Sequence, residues 1–152
     1  MQPGDVAPDF ELPDETGTSR KLSTMLADGP VVLFFYPAAM TTGCTKESCH
    51  FRDLKTEFEQ LGAQRVGISR DSVAKQKQFS DIHSFDYPLL SDEAGTVAAA
   101  YGVKRGGVMG KLTPVKRATF VIGKDGKVLQ VISSELKMDV HADEALKTLA
   151  RA

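Results

Sequence analysis

The sequence predicts a three-layer α/β fold with a central mixed β-sheet flanked by helices. Two observations predict it. Short apolar runs alternate with amphipathic helical segments along the chain, and two β-rich runs around a Gly/Asp-Gly turn then precede a last helix.

The elements follow in order. VVLFFY, Val31 to Tyr36, is a continuous apolar run bounded by Asp28-Gly29-Pro30 and Pro37, as expected of a strand buried on both faces at the sheet centre. Phe51, Leu54, Phe58 and Leu61 recur at helical spacing, which predicts one amphipathic helix running to about Leu61-Gly62. Arg65 to Ser69 reads as a second strand, Asp71-Ser72 as a helix cap, and Val73 to about Ile82 as a helix with Val73 and Phe79 inward. Tyr87 to Leu90 reads as a third short strand, followed by a small-residue helix from Gly95 to Tyr101. Ala118 to Ile132 carries the hairpin signature, and the last helix sets Ala142, Ala145, Leu146 and Leu149 on one face, with Asp139 as its cap.

Composition narrows the function. A chain of 152 residues can bury a substantial core without disulfides, so residues 1–152 are expected to form a single domain. Lys plus Arg number 19 against 20 for Asp plus Glu, which leaves no one-sided field for nucleic acid or anionic lipid. The N-terminus has neither a basic start nor an apolar stretch, and the longest apolar run is far too short to span a bilayer, so a cytoplasmic location is expected.

Both cysteines fall in YPAAMTTGCTKESC, residues 36 to 49, at a strand-to-helix junction. A small loop closed between them would constrain little unfolded-chain entropy, so stability is a poor reason for the pair. Cys44 sits where a helix points its free N-terminal amides toward the carboxyl edge of the sheet, a setting that stabilises a thiolate. Thr41, Thr42 and Gly43 suit a tight loop around a small polar substrate. Residues five apart in an ideal helix lie roughly 140° round the axis with α-carbons roughly 8.7 Å apart, beyond the about 7 Å that a disulfide allows. If the two sulfurs work together, the first helical turns must unwind.

Pro37, Thr41 and Cys44 match the PxxxTxxC motif of the peroxiredoxins, thiol peroxidases on a thioredoxin-like fold. GCTKESCHFRDL resembles the Q-type group, also called bacterioferritin comigratory proteins, and the resemblance extends through GDVAPDFELPDETG, VVLFFYP, YPLLSDEAGTVAAAYGV and KRATFVIGKDGKV. It implies that Cys44 is the peroxidatic cysteine and that Cys49 resolves its sulfenic acid as an intramolecular disulfide. Thr41 would hydrogen-bond the peroxide, Pro37 would shield the site, and Arg117 matches the family arginine, whose fork of donors favours thiolate and holds peroxide oxygens. Thioredoxin or a similar dithiol protein would reduce the disulfide, no cofactor or metal is implied, and the intramolecular pair leaves no chemical need for a dimer, so a monomer is expected.

The chain departs from the group in two places. Thr42 stands where Q-type relatives usually have proline, and Ala38, Ala39 and Met40 stand where many carry charged residues, an apolar rim expected to favour organic hydroperoxides or a reductant's apolar surface. Two other readings use the same cysteines. His50 beside Cys49 allows a metal-handling protein, although three such ligands close in one helix point in different directions. A general dithiol oxidoreductase is the second, and it would usually carry CxxC instead. Glu47 is expected to serve nearby amides or the helix dipole, and His83 and His141 to lie on the surface. Glycine-rich RGGVMGKL, from Arg105, reads as a basic loop that could wall the site ahead of Arg117.

Overall fold

The computed structural model of the chain describes residues 1–106 and 114–152. The core of the expected basic loop, residues 107–113, lies outside the described residues. Its stem is closed by an antiparallel bridge between Lys104 and Val115, with Arg105 N–H donating to the Pro114 carbonyl at 2.9 Å.

The central strand is β3 (Val31–Phe35), buried at every residue. It pairs in parallel with β4 (Gln64–Ser69), which pairs in parallel with β5 (Leu89–Ser91). On its other side β3 pairs antiparallel with β6 (Ala118–Ile122), which turns back as β7 (Val128–Ser133). Among the described residues the order is therefore β5-β4-β3-β6-β7, the expected mixed sheet. The β6–β7 turn closes through Gly126 at φ +85°, a left-handed conformation that favours glycine. An N-terminal hairpin of β1 (Glu11–Pro13) and β2 (Ser19–Lys21) has no counterpart in the sequence reading. Its turn is built on Asp14, whose Oδ1 accepts the amides of Thr16 and Thr18.

Alternation along β3 divides the core in two, because successive side chains of a strand point to opposite faces. Val31, Leu33 and Phe35 pack with Leu22 and Met25 of α1 (Leu22–Leu26) and with Val97 and Ala98 of α5 (Thr96–Ala100). Val32, Phe34 and Tyr36 pack on the other face with α2 (Thr42–Asp53), α3 (Lys55–Gln60), α4 (Val73–His83) and α6 (Val140–Arg151). Phe51 stacks on Phe34 at 4.1 Å between ring centroids, which fixes α2 against the sheet.

Four expectations are corrected. The helix predicted to reach Leu61-Gly62 is two helices, broken at Leu54, and Leu61 is exposed. Buried Arg65 supplies the reason: its Nη1 donates to the Phe51 carbonyl at 2.9 Å and approaches that of Arg52 at 3.5 Å, oxygens that a continuing helix would use. Asp139 stands at the N-cap of α6 but its side chain makes no capping hydrogen bond. His141 is fully buried, because both ring nitrogens find partners inside: Thr119 Oγ1 at 2.8 Å and the Ser134 carbonyl at 2.9 Å. His83 is half-buried against the Phe79 and Phe85 rings.

Candidate active site

The site forms where β3 ends. Tyr36 N–H still donates to Ile68 O of β4, and Pro37, which has no N–H, closes the strand. The loop that follows is tied to the sheet by Asp71, whose Oδ2 accepts the Ala39 amide at 2.7 Å and the Ser69 hydroxyl at 2.6 Å. Behind it, buried Gln76 donates to Ser69 Oγ at 2.9 Å and accepts from the Tyr36 phenol, whose burial holds it well above its ordinary pKa. A chain of satisfied buried polar groups thus fixes the loop between Pro37 and Thr41. Sequence reading missed it, taking Asp71 only as part of a helix cap; the cap itself is made by Ser72, which accepts from Lys75 N–H at 3.2 Å.

Met40 has φ +63°, a left-handed conformation uncommon for a non-glycine residue, and its side chain is partly exposed at the loop tip. Thr41 then takes the N-cap position of α2 at φ −84°, ψ 156°. Its hydroxyl does not cap the helix; it donates to the Ala38 carbonyl at 2.8 Å and closes the loop on itself. Cys44 lies in the first turn of α2 and is fully buried.

Arg117 reaches this turn because of strand register. Phe35 at the end of β3 faces Ala118 at the start of β6, so the residue just before Ala118 emerges beside the Pro37 loop. Its Nη2 donates to Cys44 Sγ at 3.3 Å and its Nη1 to Glu47 Oε1 at 2.8 Å. Glu135 accepts the Arg117 backbone N–H at 3.1 Å and is itself paired with Arg105 at 2.8 Å, so the stem of the basic loop does touch the wall of the site. Gly43 makes room for the guanidinium: a Cβ there would meet Arg117 Nη2 at 3.2 Å and Met138 Sδ at 3.5 Å.

Glu47 departs from its expected role. It is fully buried, and burial pushes its carboxyl up to about 8 despite the opposing charge and hydrogen bond of Arg117. Its Oε2 has no hydrogen-bond partner and lies 3.5 Å from His141 Nδ1. Glu47 lies in the second turn of α2, beyond the first turn where the sequence placed it; a buried carboxylate is hard to read from sequence, because Glu on a helix is ordinarily a surface residue, and the one available signal is its position three after Cys44.

Cys49 sits further along α2, half-buried and free, and burial raises its thiol above the ordinary value. It borders a hollow of about 280 Å³ with Lys46, His50, Asp53 and Asp139. His50 is paired with Asp143 of α6 at 2.8 Å and the Ser48 carbonyl accepts the Tyr87 phenol at 2.7 Å, so α2 is pinned on both sides of Cys49. The structure gathers Thr41, Cys44 and Arg117 around one turn and leaves Cys49 apart. Cys44, Cys49 and His50 do not converge, and among the described residues no group of three or more His, Cys, Asp or Glu side chains could hold a metal ion. Among the described residues no helix is long and apolar enough to cross a membrane.

Comparison with known proteins places this geometry in context. A family model described as the AhpC/TSA family matches residues 3–131. The crystal structure of peroxidoxin BcpB from Mycobacterium tuberculosis is similar with a TM-score of 0.95 and 67% identity, over 99% of this chain and 97% of that one. The chloroplastic peroxiredoxin Q of Arabidopsis thaliana is 41% identical over 149 residues, 98% of this chain and 67% of that protein. A structure of Xanthomonas campestris peroxiredoxin Q superposes with a TM-score of 0.84 at 33% identity, covering 93% of this chain and 90% of that one.

Proposed function

The chain belongs to the AhpC/TSA family as a peroxiredoxin of the Q and bacterioferritin comigratory type, a thiol peroxidase, and on that premise we propose that Cys44 is its peroxide-reducing nucleophile and Cys49 its resolving partner. The observation that carries the assignment is the contact of 3.3 Å between Arg117 Nη2 and the buried Cys44 sulfur. A guanidinium donor at that sulfur favours the thiolate and stays in place as charge moves onto the peroxide.

The Cys44 thiolate attacks one peroxide oxygen, the O–O bond breaks, and the other oxygen leaves as water or an alcohol after taking a proton. The sulfur has lost two electrons and is now a sulfenic acid. The Cys49 sulfur then attacks it, a disulfide forms and water leaves. Two electrons from thioredoxin or a similar dithiol protein restore both thiols. Thr41, with its hydroxyl at the loop opening, hydrogen-bonds the bound peroxide, and Pro37 shields the sulfur from bulk water. The second step needs the first turns of α2 to unwind, which requires release of Glu47 from Arg117, of Ser48 O from Tyr87 and of His50 from Asp143.

Organic hydroperoxides are proposed as substrates beside hydrogen peroxide. A structure of the Xanthomonas campestris bacterioferritin comigratory protein is described in terms of that protein's alkyl peroxide reduction activity. In this chain Met40 and Leu136 are exposed, and Met138 packs beside Gly43. The protein is proposed to act as a cytoplasmic, single-domain monomer. Peroxide consumption with thioredoxin and its reductase, lost in Cys44→Ser and retained in a control at exposed Ile82, tests the reading; retained turnover in Cys44→Ser would overturn it.

A further inference from the structure

Glu47, Arg117 and His141 form a buried cluster whose hydrogen-bonding can be settled atom by atom. His141 Nε2 lies 2.9 Å from the Ser134 carbonyl, which can only accept, so Nε2 carries a proton. In the neutral ring Nδ1 is then an acceptor, and it takes the Thr119 hydroxyl at 2.8 Å. Glu47 Oε2 faces the same nitrogen at 3.5 Å with no hydrogen-bond partner. Both ring nitrogens are thereby engaged, so His141 offers Oε2 no donor, and an ionised Oε2 would be an unpaired anionic oxygen out of water, an arrangement that is strongly unfavourable. A proton on the Glu47 carboxyl removes the unpaired charge.

We propose that Glu47 works in its protonated form and that it thereby orients Arg117 without neutralising it. Glu47 and His141 are positioning residues, acting on Cys44 through the arginine. A neutral carboxyl still offers Oε1 to Arg117 Nη1, which aims Nη2 at the sulfur. The full positive charge then faces a single anion, the Cys44 thiolate. With an ionised Glu47 the same buried cation would be shared between two anions and the cluster would carry a net negative charge.

The groups around Glu47 act in both directions, and burial decides the balance. Arg117 ahead of β6 draws the carboxyl down, but burial outweighs it, and Glu135 from the segment after β7 adds a like charge that raises it further. On α6, burial lowers His141 below its ordinary value, so the ring does not supply the proton as an imidazolium. Cys44 on α2 is the remaining group, held at Arg117 Nη2.

The proposal rests on the peroxidase reading, and its test separates the two. Difference infrared spectroscopy of the reduced protein, with Glu47→Gln as the reference, is expected to show the carbonyl band of a protonated carboxylic acid, lost as pH rises through about 8. Absence of that band at neutral pH would overturn the proposal whether or not the protein turns over peroxide. In stopped-flow oxidation of Cys44, Glu47→Ala is expected to lower the rate constant by about tenfold or more, and Glu47→Gln, which keeps an uncharged acceptor for Arg117, to recover most of it. Wild type should lose rate relative to Glu47→Gln above about pH 8. A Glu47→Gln protein as slow as Glu47→Ala, with an unchanged melting temperature, would mean that the carboxylate is required. Wild type that never oxidises at Cys44 would instead remove the peroxidase reading while leaving the infrared result standing.

Discussion

Arg117 donates to the Cys44 sulfur at 3.3 Å although 73 residues separate them in the chain. The contact is a product of sheet register: β6 runs antiparallel to β3 with Ala118 opposite Phe35, so the residue ahead of one strand meets the loop that follows the other. Its rigidity comes from buried partners on each side of the fork, Glu47 at Nη1 and Cys44 at Nη2.

Arg117→Lys should therefore keep the charge and lose the chemistry. An ammonium has no planar fork to present one fixed donor to Glu47 and another to the sulfur. The rate constant for Cys44 oxidation is expected to drop by about a hundredfold with folding intact, as read by stopped-flow fluorescence beside a thermal melt. A loss under threefold would show that charge alone suffices.

Gly43→Ala tests the close approach. An added Cβ at 3.2 Å from Arg117 Nη2 must push the guanidinium aside, while alanine stiffens the first turn of α2 by up to about 1 kcal/mol. The variant is expected to melt no lower than wild type yet oxidise several-fold more slowly and form its disulfide more slowly still. Unchanged kinetics of both steps would contradict the account.

Met40→Lys probes the loop rim. Met40 is exposed in a left-handed conformation at the loop tip, where an apolar side chain can meet an organic peroxide. Replacing it with lysine should lower kcat/KM for cumene hydroperoxide relative to hydrogen peroxide. Identical ratios in the two proteins would remove the rim from substrate selection.

Much of this arrangement is legible in the sequence and some of it is not. The buried run at Val31, the alternation of elements and the hairpin at Ala118 yield the mixed sheet, because periodicity reports which side chains face the core. Thr41, Cys44 and Arg117 are legible through their motif context. The break at Leu54 escapes periodicity, since it depends on Arg65 arriving from another strand to take helix carbonyls. Glu47 and His141 escape for the same reason: each reads as a surface residue until partners from α2, β6 and α6 are assembled around it. The Asp71 tether likewise joins elements that only the folded sheet brings together.

A pH dependence of unwinding follows from Glu47. Its carboxyl is pushed up to about 8 in the folded turn and returns to its ordinary value near 4.5 once the turn opens to water. Between those values the folded form holds a proton that the unwound form has lost, so rising pH favours unwinding across that window and adds nothing above it. After rapid oxidation, disulfide formation should accelerate with pH in wild type. Ionisation of Cys49 contributes equally in Glu47→Gln, so the ratio of the two proteins isolates the effect. A ratio independent of pH between 5 and about 8 would refute it.

The most direct test of the two-cysteine account is peptide-level mass spectrometry of the reduced protein after one equivalent of peroxide, with free thiols blocked by acid quench and alkylation. The account predicts loss of two hydrogens, mapped to a bridge between Cys44 and Cys49. Oxidation that stops at a Cys44 sulfenic or sulfinic acid, with Cys49 still alkylated, would contradict it and hand the resolving step to an outside thiol.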